Sequence, residues 1–196
     1  MNLLKKKSHP PVPAGLSAGK KAVLLLANGF GLGNSPVASG TVGALLGLPL
    51  AIALSALYGH TWLQVAIAAA ATFLCVPLCD AAEHIYGTKD DGRIVADEYL
   101  LFPICIVAQR PLWAMFCNGE WFHALVFLGM AFVISRVSDI IKAYPARQLQ
   151  EMHGGLGIVL DDFFADVYAW VVIWFADAWL LTPHIQPYLD RIFLGQ

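Results

Sequence analysis

An all-α, polytopic membrane bundle of four or five spans is the fold class this sequence predicts. Three observations carry that reading. The chain is 58% hydrophobic and only 13% charged, where a soluble domain carries about a quarter charged residues. Its mean hydropathy is +0.64. Its apolar residues fall in runs close to the roughly 20 that cross a bilayer, with charges standing at the ends of the runs. One compact membrane domain fits 196 residues.

Residues 1–21 read as a cytoplasmic N-terminal tail. Lys5-Lys6-Lys7 resembles the start of a signal peptide, but the apolar run that could follow, residues 22–27, is too short and is preceded by Lys20-Lys21. Residues 22–28 cannot span and suit a re-entrant or interfacial helix. The spans expected are residues 41–58, 61–80, 98–117, 121–142 and 162–181. The third is interrupted by Gln109-Arg110-Pro111, so it reads as a short helix followed by a break. The membrane-embedded unit is therefore residues 22–181, followed by a C-terminal tail, residues 182–196.

Charge sets the orientation. With five spans and a cytoplasmic N-terminus, Lys5, Lys6, Lys7, Lys20, Lys21, Lys89, Arg93, Arg136, Lys142 and Arg147 share one side, and only Arg110 and Arg191 fall elsewhere. Such a bias marks the cytoplasmic face. The carboxylates follow it. Asp80 and Glu83 end the second span, Asp97 and Glu98 begin the third, Asp139 nears the end of the fourth, and Asp161, Asp162 and Asp166 begin the fifth. In a bundle these ends converge. An ionisable group abutting apolar sequence is expensive, so its default reading is functional.

Cys75, Cys79, Cys105 and Cys117 lie in apolar runs without zinc-site spacing and read as small buried residues. The net charge of −2 is uninformative as a total, unlike its distribution along the chain, and no nucleic acid is expected as a partner.

Four motifs carry chemistry. Asn28-Gly29-Phe30-Gly31-Leu32-Gly33 leads to Ser39-Gly40-Thr41-Val42-Gly43. Glycines let backbone N–H groups approach an anion, and a helix starting at Thr41 would point its positive end at one, so Gly31, Gly33 and Thr41 are candidate phosphate contacts. It is not a Walker loop, and close helix packing explains it equally well. Asp97 and Glu98 suit Mg²⁺, which takes oxygen ligands, keeps several waters and favours phosphates. Helix capping explains one of them as well.

Arg136, Asp139 and Lys142 recur every three residues and share a broad helix face. The bases can clamp a phosphate, while Asp139 holds a metal or orients the Arg. A snorkelling, salt-bridged helix end explains Lys142 well and the deeper Arg136 poorly. His153 precedes Gly154-Gly155-Leu156-Gly157 and the Asp161-Asp162 pair, which makes it a candidate acid/base or phosphate contact.

These motifs, in this order, resemble the phosphatidylglycerophosphatase A family from about Asn28 to Ala169. The resemblance rests on Gly29-Phe30-Gly31-Leu32-Gly33 with Ser35-Pro36 and Gly40-Thr41-Val42-Gly43, on Ile94-Val95-Ala96-Asp97-Glu98, on Arg136-Val137-Ser138-Asp139 with Lys142 and Pro145, and on His153-Gly154-Gly155-Leu156-Gly157-Ile158 with Asp161-Asp162. It implies a Mg²⁺-dependent phosphatase of the bacterial inner membrane whose phospholipid substrate is phosphatidylglycerophosphate. The chain departs from the family pattern at Ser39, Ala44 and Leu101, none of which removes a charge. In that reading Asp97, Glu98, Asp139, Asp161 and Asp162 hold the metal. Arg136 and Lys142 clamp the phosphate with help from Gly31, Gly33 and Thr41, and Asp97, Glu98, Asp139, His153 and Asp162 do the chemistry. The alternative is a small cation transporter or channel subunit using the same carboxylates, which would spread charges through the bilayer depth rather than gather them at one face.

Overall fold

The computed structural model describes residues 11–13, 15–89, 91–149, 152 and 154–193. Every regular element among them is helical. The chain runs through α1 (Ala18–Ala27), a 3-10 turn (Gly29–Asn34), α2 (Ser39–Ala44), α3 (Gly47–Ser55), α4 (Thr61–Tyr86) and α5 (Ala96–Leu101). A 3-10 segment (Phe102–Ile106), α6 (Leu112–Cys117), α7 (Trp121–Ile141), α8 (Ala146–Leu149) and α9 (Gly155–Ala176) follow. A π-helical stretch (Asp177–Ile185) and α10 (Gln186–Phe193) complete it.

Three long helices make the frame. α4 has 26 residues, α7 has 21 and α9 has 22, each more than about 30 Å at 1.5 Å per residue. α9 packs against both others. α4 and α7 end, and α9 begins, at the same end of the molecule, where the charged motifs lie. α4 and α7 are long and apolar enough to cross a membrane. α9 is long enough but carries Asp161 and Asp162 in its first half and Asp166 at its middle.

The two other expected spans are broken, each for a visible reason. Residues 41–58 divide into α2 and α3 around Leu45-Leu46. Both pieces press onto the ends of α5: a Cβ on Gly43 would lie 2.5 Å from the Cβ of Val95, its cap residue, and one on Gly47 2.6 Å from the Cβ of Phe102, which follows it. Residues 98–117 divide into α5, the 3-10 segment and α6. Pro103 opens the 3-10 segment, Ala108 takes a left-handed φ of 58°, and Pro111 precedes α6. Proline removes a helical donor and disfavours helix before it. At the termini, α1 begins at Ala18, inside the expected tail, and helix continues past residue 181 to Phe193.

The buried core is conventional. Phe102, Ile106, Leu112, Phe127 and Ile173 pack in one cluster, and Leu24, Cys75, Cys79, Tyr99 and Val159 pack in another. The outer surface is not. Trp62 is 86% exposed, Phe73 78% and Ile140 81%, and Val133, Val172 and Phe175 are exposed beside them. Long helices that turn large apolar side chains outward suit a lipid surround rather than water. Trp62, Trp113, Trp121, Trp174 and Trp179 are also exposed, on the segments at the end away from the charged motifs. Tryptophans gather at membrane–water interfaces in this way.

That far end is closed by polar contacts. Arg110 bonds Asp177 through both Nε, at 2.9 Å, and Nη2, at 2.6 Å. The buried Gln64 side chain donates to Leu54 O and accepts from Ala108 N–H.

Candidate active site

A cleft of about 420 Å³ opens where α4 and α7 end and α9 begins. Its walls carry Asp97, Glu98, Asp139, Lys142, Asp161 and Asp162. Five carboxylates named from sequence, on three helices up to 65 residues apart, thus stand in one cavity.

Asp97 and Glu98 occupy the first turn of α5, whose cap residue Val95 offers no side-chain bond. Free N–H groups and the helix dipole favour negative charge there. Asp97 is buried and Glu98 partly so. Glu98 accepts a bond from Arg136 Nη1 on α7. Room for the Glu98 carboxylate comes from Gly40, because a Cβ at that position would collide with Glu98 Oε1.

Asp139 follows Arg136 by three residues, and its Oδ2 lies 3.6 Å from Arg136 Nη1. Lys142 is the first residue beyond α7 and takes a left-handed φ of 42°. A non-glycine residue is strained there, and such strain persists where the surroundings fix it. What fixes it is charge. The Lys142 ammonium donates to Asp161 Oδ2 and stands 3.5 Å from Asp139 Oδ1 and 3.8 Å from Asp162 Oδ1. One ammonium therefore serves three carboxylates, two of them buried.

Asp161 and Asp162 reach the cleft because α9 starts hard against α4. A Cβ on Gly155 would collide with Val76 O, and the Gly155 N–H donates to Asp80 Oδ1 at 3.2 Å. The glycine cluster that follows His153 is thus a close-packing device. Gly157 also lines the cleft.

The glycine-rich loop contributes differently from the sequence reading. Gly31 is exposed, Gly33 is buried against the Arg93 carbonyl, and Thr41 is exposed. None of the three lines the cleft; Ser39 and Gly40 do. α2 begins at Ser39, not Thr41. Ser39 Oγ donates to Gly92 O at 2.6 Å, tying this loop to residues 87–95. That second loop is held by Asp91, whose carboxylate takes Arg93 Nε at 2.8 Å and Nη2 at 2.7 Å while the guanidinium stacks 3.9 Å from the Tyr86 ring. Burial opposes the Asp91 charge, but the bonds from Arg93 and Thr88 outweigh it and hold the carboxyl at about 2.

Arg136 does not line the cleft; it lies behind Glu98. His153 and Asp90 lie outside the described residues. Lys89, Ile94, Met152 and Ile158 line the cleft without having been singled out as site residues. In the sequence Lys89 counts only towards topology, although a base so near Asp91 is a signal for it.

The donor set can be tested against a hard cation. All its members are carboxylate oxygens. Asp139 Oδ1 and Asp161 Oδ1 are buried without a hydrogen-bond donor. Among the described residues no three ligating groups converge on one point. Mg²⁺ does not require three, since it keeps several waters and is held by one or two carboxylates with substrate phosphate. The residues fit such an ion.

A family model, phosphatidylglycerophosphatase A, matches residues 25–177. A Haemophilus influenzae phosphatidylglycerophosphatase A is 34% identical over 158 residues, which is 80% of this chain and 90% of that protein. Its Escherichia coli namesake is 31% identical over 154 residues, 77% of this chain and 81% of that one. A Bacteroides thetaiotaomicron protein, provisionally named a phosphatidylinositol-3-phosphatase, is 34% identical over 153 residues, 76% of this chain and 90% of that one. No solved structure matches.

Proposed function

The chain belongs to the phosphatidylglycerophosphatase A family, and from that premise we propose that it hydrolyses phosphatidylglycerophosphate to phosphatidylglycerol and phosphate in phospholipid synthesis. The observation that carries this reading is one cleft holding five carboxylates and the Lys142 ammonium. That combination suits a phosphate ester bound together with a divalent cation.

Mg²⁺ is the cation proposed, held by carboxylates drawn from Asp97, Glu98, Asp139, Asp161 and Asp162. When bound, it would neutralise charge at the phosphate and make a bound water more acidic. The chain's own groups do the rest. Lys142 offers a point charge to phosphate oxygens. Arg136 fixes the Glu98 carboxylate and adds positive potential from behind it. Water attacks phosphorus, a cleft carboxylate takes its proton, and the glycerol oxygen leaves with the bonding pair and is then protonated. Direct attack is favoured because no residue described in the cleft stands out as a nucleophile; the hydroxyl of Ser39 donates to Gly92 O and not to a base.

The decisive measurement is phosphate release by purified protein in detergent. Release from phosphatidylglycerophosphate that needs Mg²⁺ and stops with chelator is expected. Release only from a 3-phosphorylated inositol lipid would overturn the substrate, and release from neither would overturn the activity.

The proposed setting is the bacterial inner membrane, crossed several times, with the cleft on the cytoplasmic face. The charge bias, the outward apolar surfaces and the distant tryptophans support it. A cysteine placed at Lys89 or Arg147, with the exposed Cys117 replaced by Ser, should resist membrane-impermeant labelling of intact cells. Efficient labelling at either position would reverse the orientation. A transporter would need charge along its depth. Here the far cluster, Arg110 with Asp177, is a closed ion pair.

A further inference from the structure

Behind the cleft lies a second polar layer that the proposed chemistry does not use. Asp166 stands one helical turn beyond Asp162 on α9 and is 2% exposed. Its Oδ1 accepts from Ser135 Oγ at 2.8 Å and from the Cys105 thiol at 3.0 Å. Ser135 is fully buried and in turn accepts from Arg136 Nη2 at 3.2 Å. Arg136 Nη1 meets Glu98 on the cleft wall. The contacts form one line from α9 through α7 to α5.

A buried carboxylate costs several kcal/mol unless it is compensated. Asp166 is reached by a hydroxyl and a thiol, and the Arg136 charge answers it only through Ser135. The chemistry of the hydroxyl fixes the direction of this line. Serine has one proton to give and two lone pairs to offer. An ionised Asp166 takes the proton, so a lone pair of Ser135 must face the guanidinium. Arg136 is then anchored at Nη2 from behind, which aims Nη1 at Glu98.

We propose that Ser135 and Asp166 are positioning residues for the active site, acting through Arg136 to hold Glu98 in place. The inference rests on the proposed phosphatase reading, in which Glu98 belongs to the metal-binding set. With an amide at position 166 able to present its NH₂ to Ser135, the hydroxyl can turn its proton towards Arg136, and the anchor is lost.

The test uses the full chain in detergent, with lipid-phosphate turnover and thermal unfolding measured side by side. Ser135→Ala and Asp166→Asn should each lower kcat by about fivefold or more with KM within about twofold, and Ser135→Thr, which keeps the hydroxyl, should recover most of the loss. In an Arg136→Lys background Ser135→Ala should cost less than about twofold further, because the anchored fork is already gone. Folded Ser135→Ala and Asp166→Asn variants with kcat within about twofold of the parent would overturn the proposal. So would a Ser135→Ala loss that multiplies in full with that of Arg136→Lys. If Asp166→Asn does not fold, Ser135→Ala and its cycle decide. If the parent chain releases no phosphate, the functional reading fails by itself. The Ser135–Arg136 cycle read in unfolding midpoints then decides the contact, and additive midpoints would refute it.

Discussion

Neutralising the cleft carboxylates one at a time should separate activity from stability. Asp97→Asn, Glu98→Gln, Asp139→Asn and Asp162→Asn are each expected to lower phosphate release by at least about a hundredfold, or about 2.7 kcal/mol in the barrier. A lost contact to the transition-state cation, made directly or through one of its waters, accounts for a cost of that size. Stability should move the other way at two of these sites. Asp139, Asp161 and Asp162 share the single Lys142 ammonium. Like charges held this close raise the free energy of the folded state. Removing one from Asp139 or Asp162 should leave the unfolding midpoint unchanged or raise it. Asp177→Asn is the control with the opposite signature: at the far end it deprives Arg110 of its charged partner, lowering stability while turnover persists. Near parental turnover in two or more of the four cleft variants would refute the assignment of the cluster.

The cleft was legible in the sequence because charges abutting apolar runs have few places to go in a bilayer. Four helix ends carried carboxylates on the side with the lysines and arginines, and convergence followed from topology alone. Asp97, Glu98, Asp139, Lys142, Asp161 and Asp162 were reachable by that logic. What needed coordinates was contact at long sequence range. The glycines around residue 155 stood out only as neighbours of His153, yet Gly155 is small because the α4 backbone passes beside it. Gly31 and Gly33 invited a phosphate reading, but it is Gly40 that stands at the cleft, making room for Glu98. The break near Ala108 was legible from Gln109-Arg110-Pro111, whereas the one at Leu45-Leu46 depends on what packs against that segment, and hydropathy carries no record of a neighbour. Ser135 and Asp166 were hidden for the same reason. Ser135 is unremarkable in an apolar run, and Asp166 read as a like-charged neighbour of Asp162 four residues on, whereas its bonds go to α7 and to Cys105.

Arg136→Lys should fold, keep its affinity for Mg²⁺ and lose at least about tenfold in turnover, or about 1.4 kcal/mol in the barrier. Arg136 sits about a turn and a half deeper than Lys142. A base kept only to balance charge at that depth could be lysine, whose flexible stem also snorkels. The contacts of Arg136 ask for more than charge. Its fork reaches Glu98 with one nitrogen and Ser135 with the other, and Asp139 stands 3.6 Å from the first. An ammonium is a single point with freely turning donors. It can stay beside Glu98 or fall back to Ser135, but it cannot hold the two apart at a fixed angle. Lys142→Arg should cost less, because Lys142 already acts as a point charge among three carboxylates at an open cleft and a guanidinium keeps that charge. Steady-state phosphate release and thermal unfolding on both variants decide the matter. A fully active Arg136→Lys would reduce Arg136 to a counter-charge for Glu98, with no need for a fork that fixes where that carboxylate points.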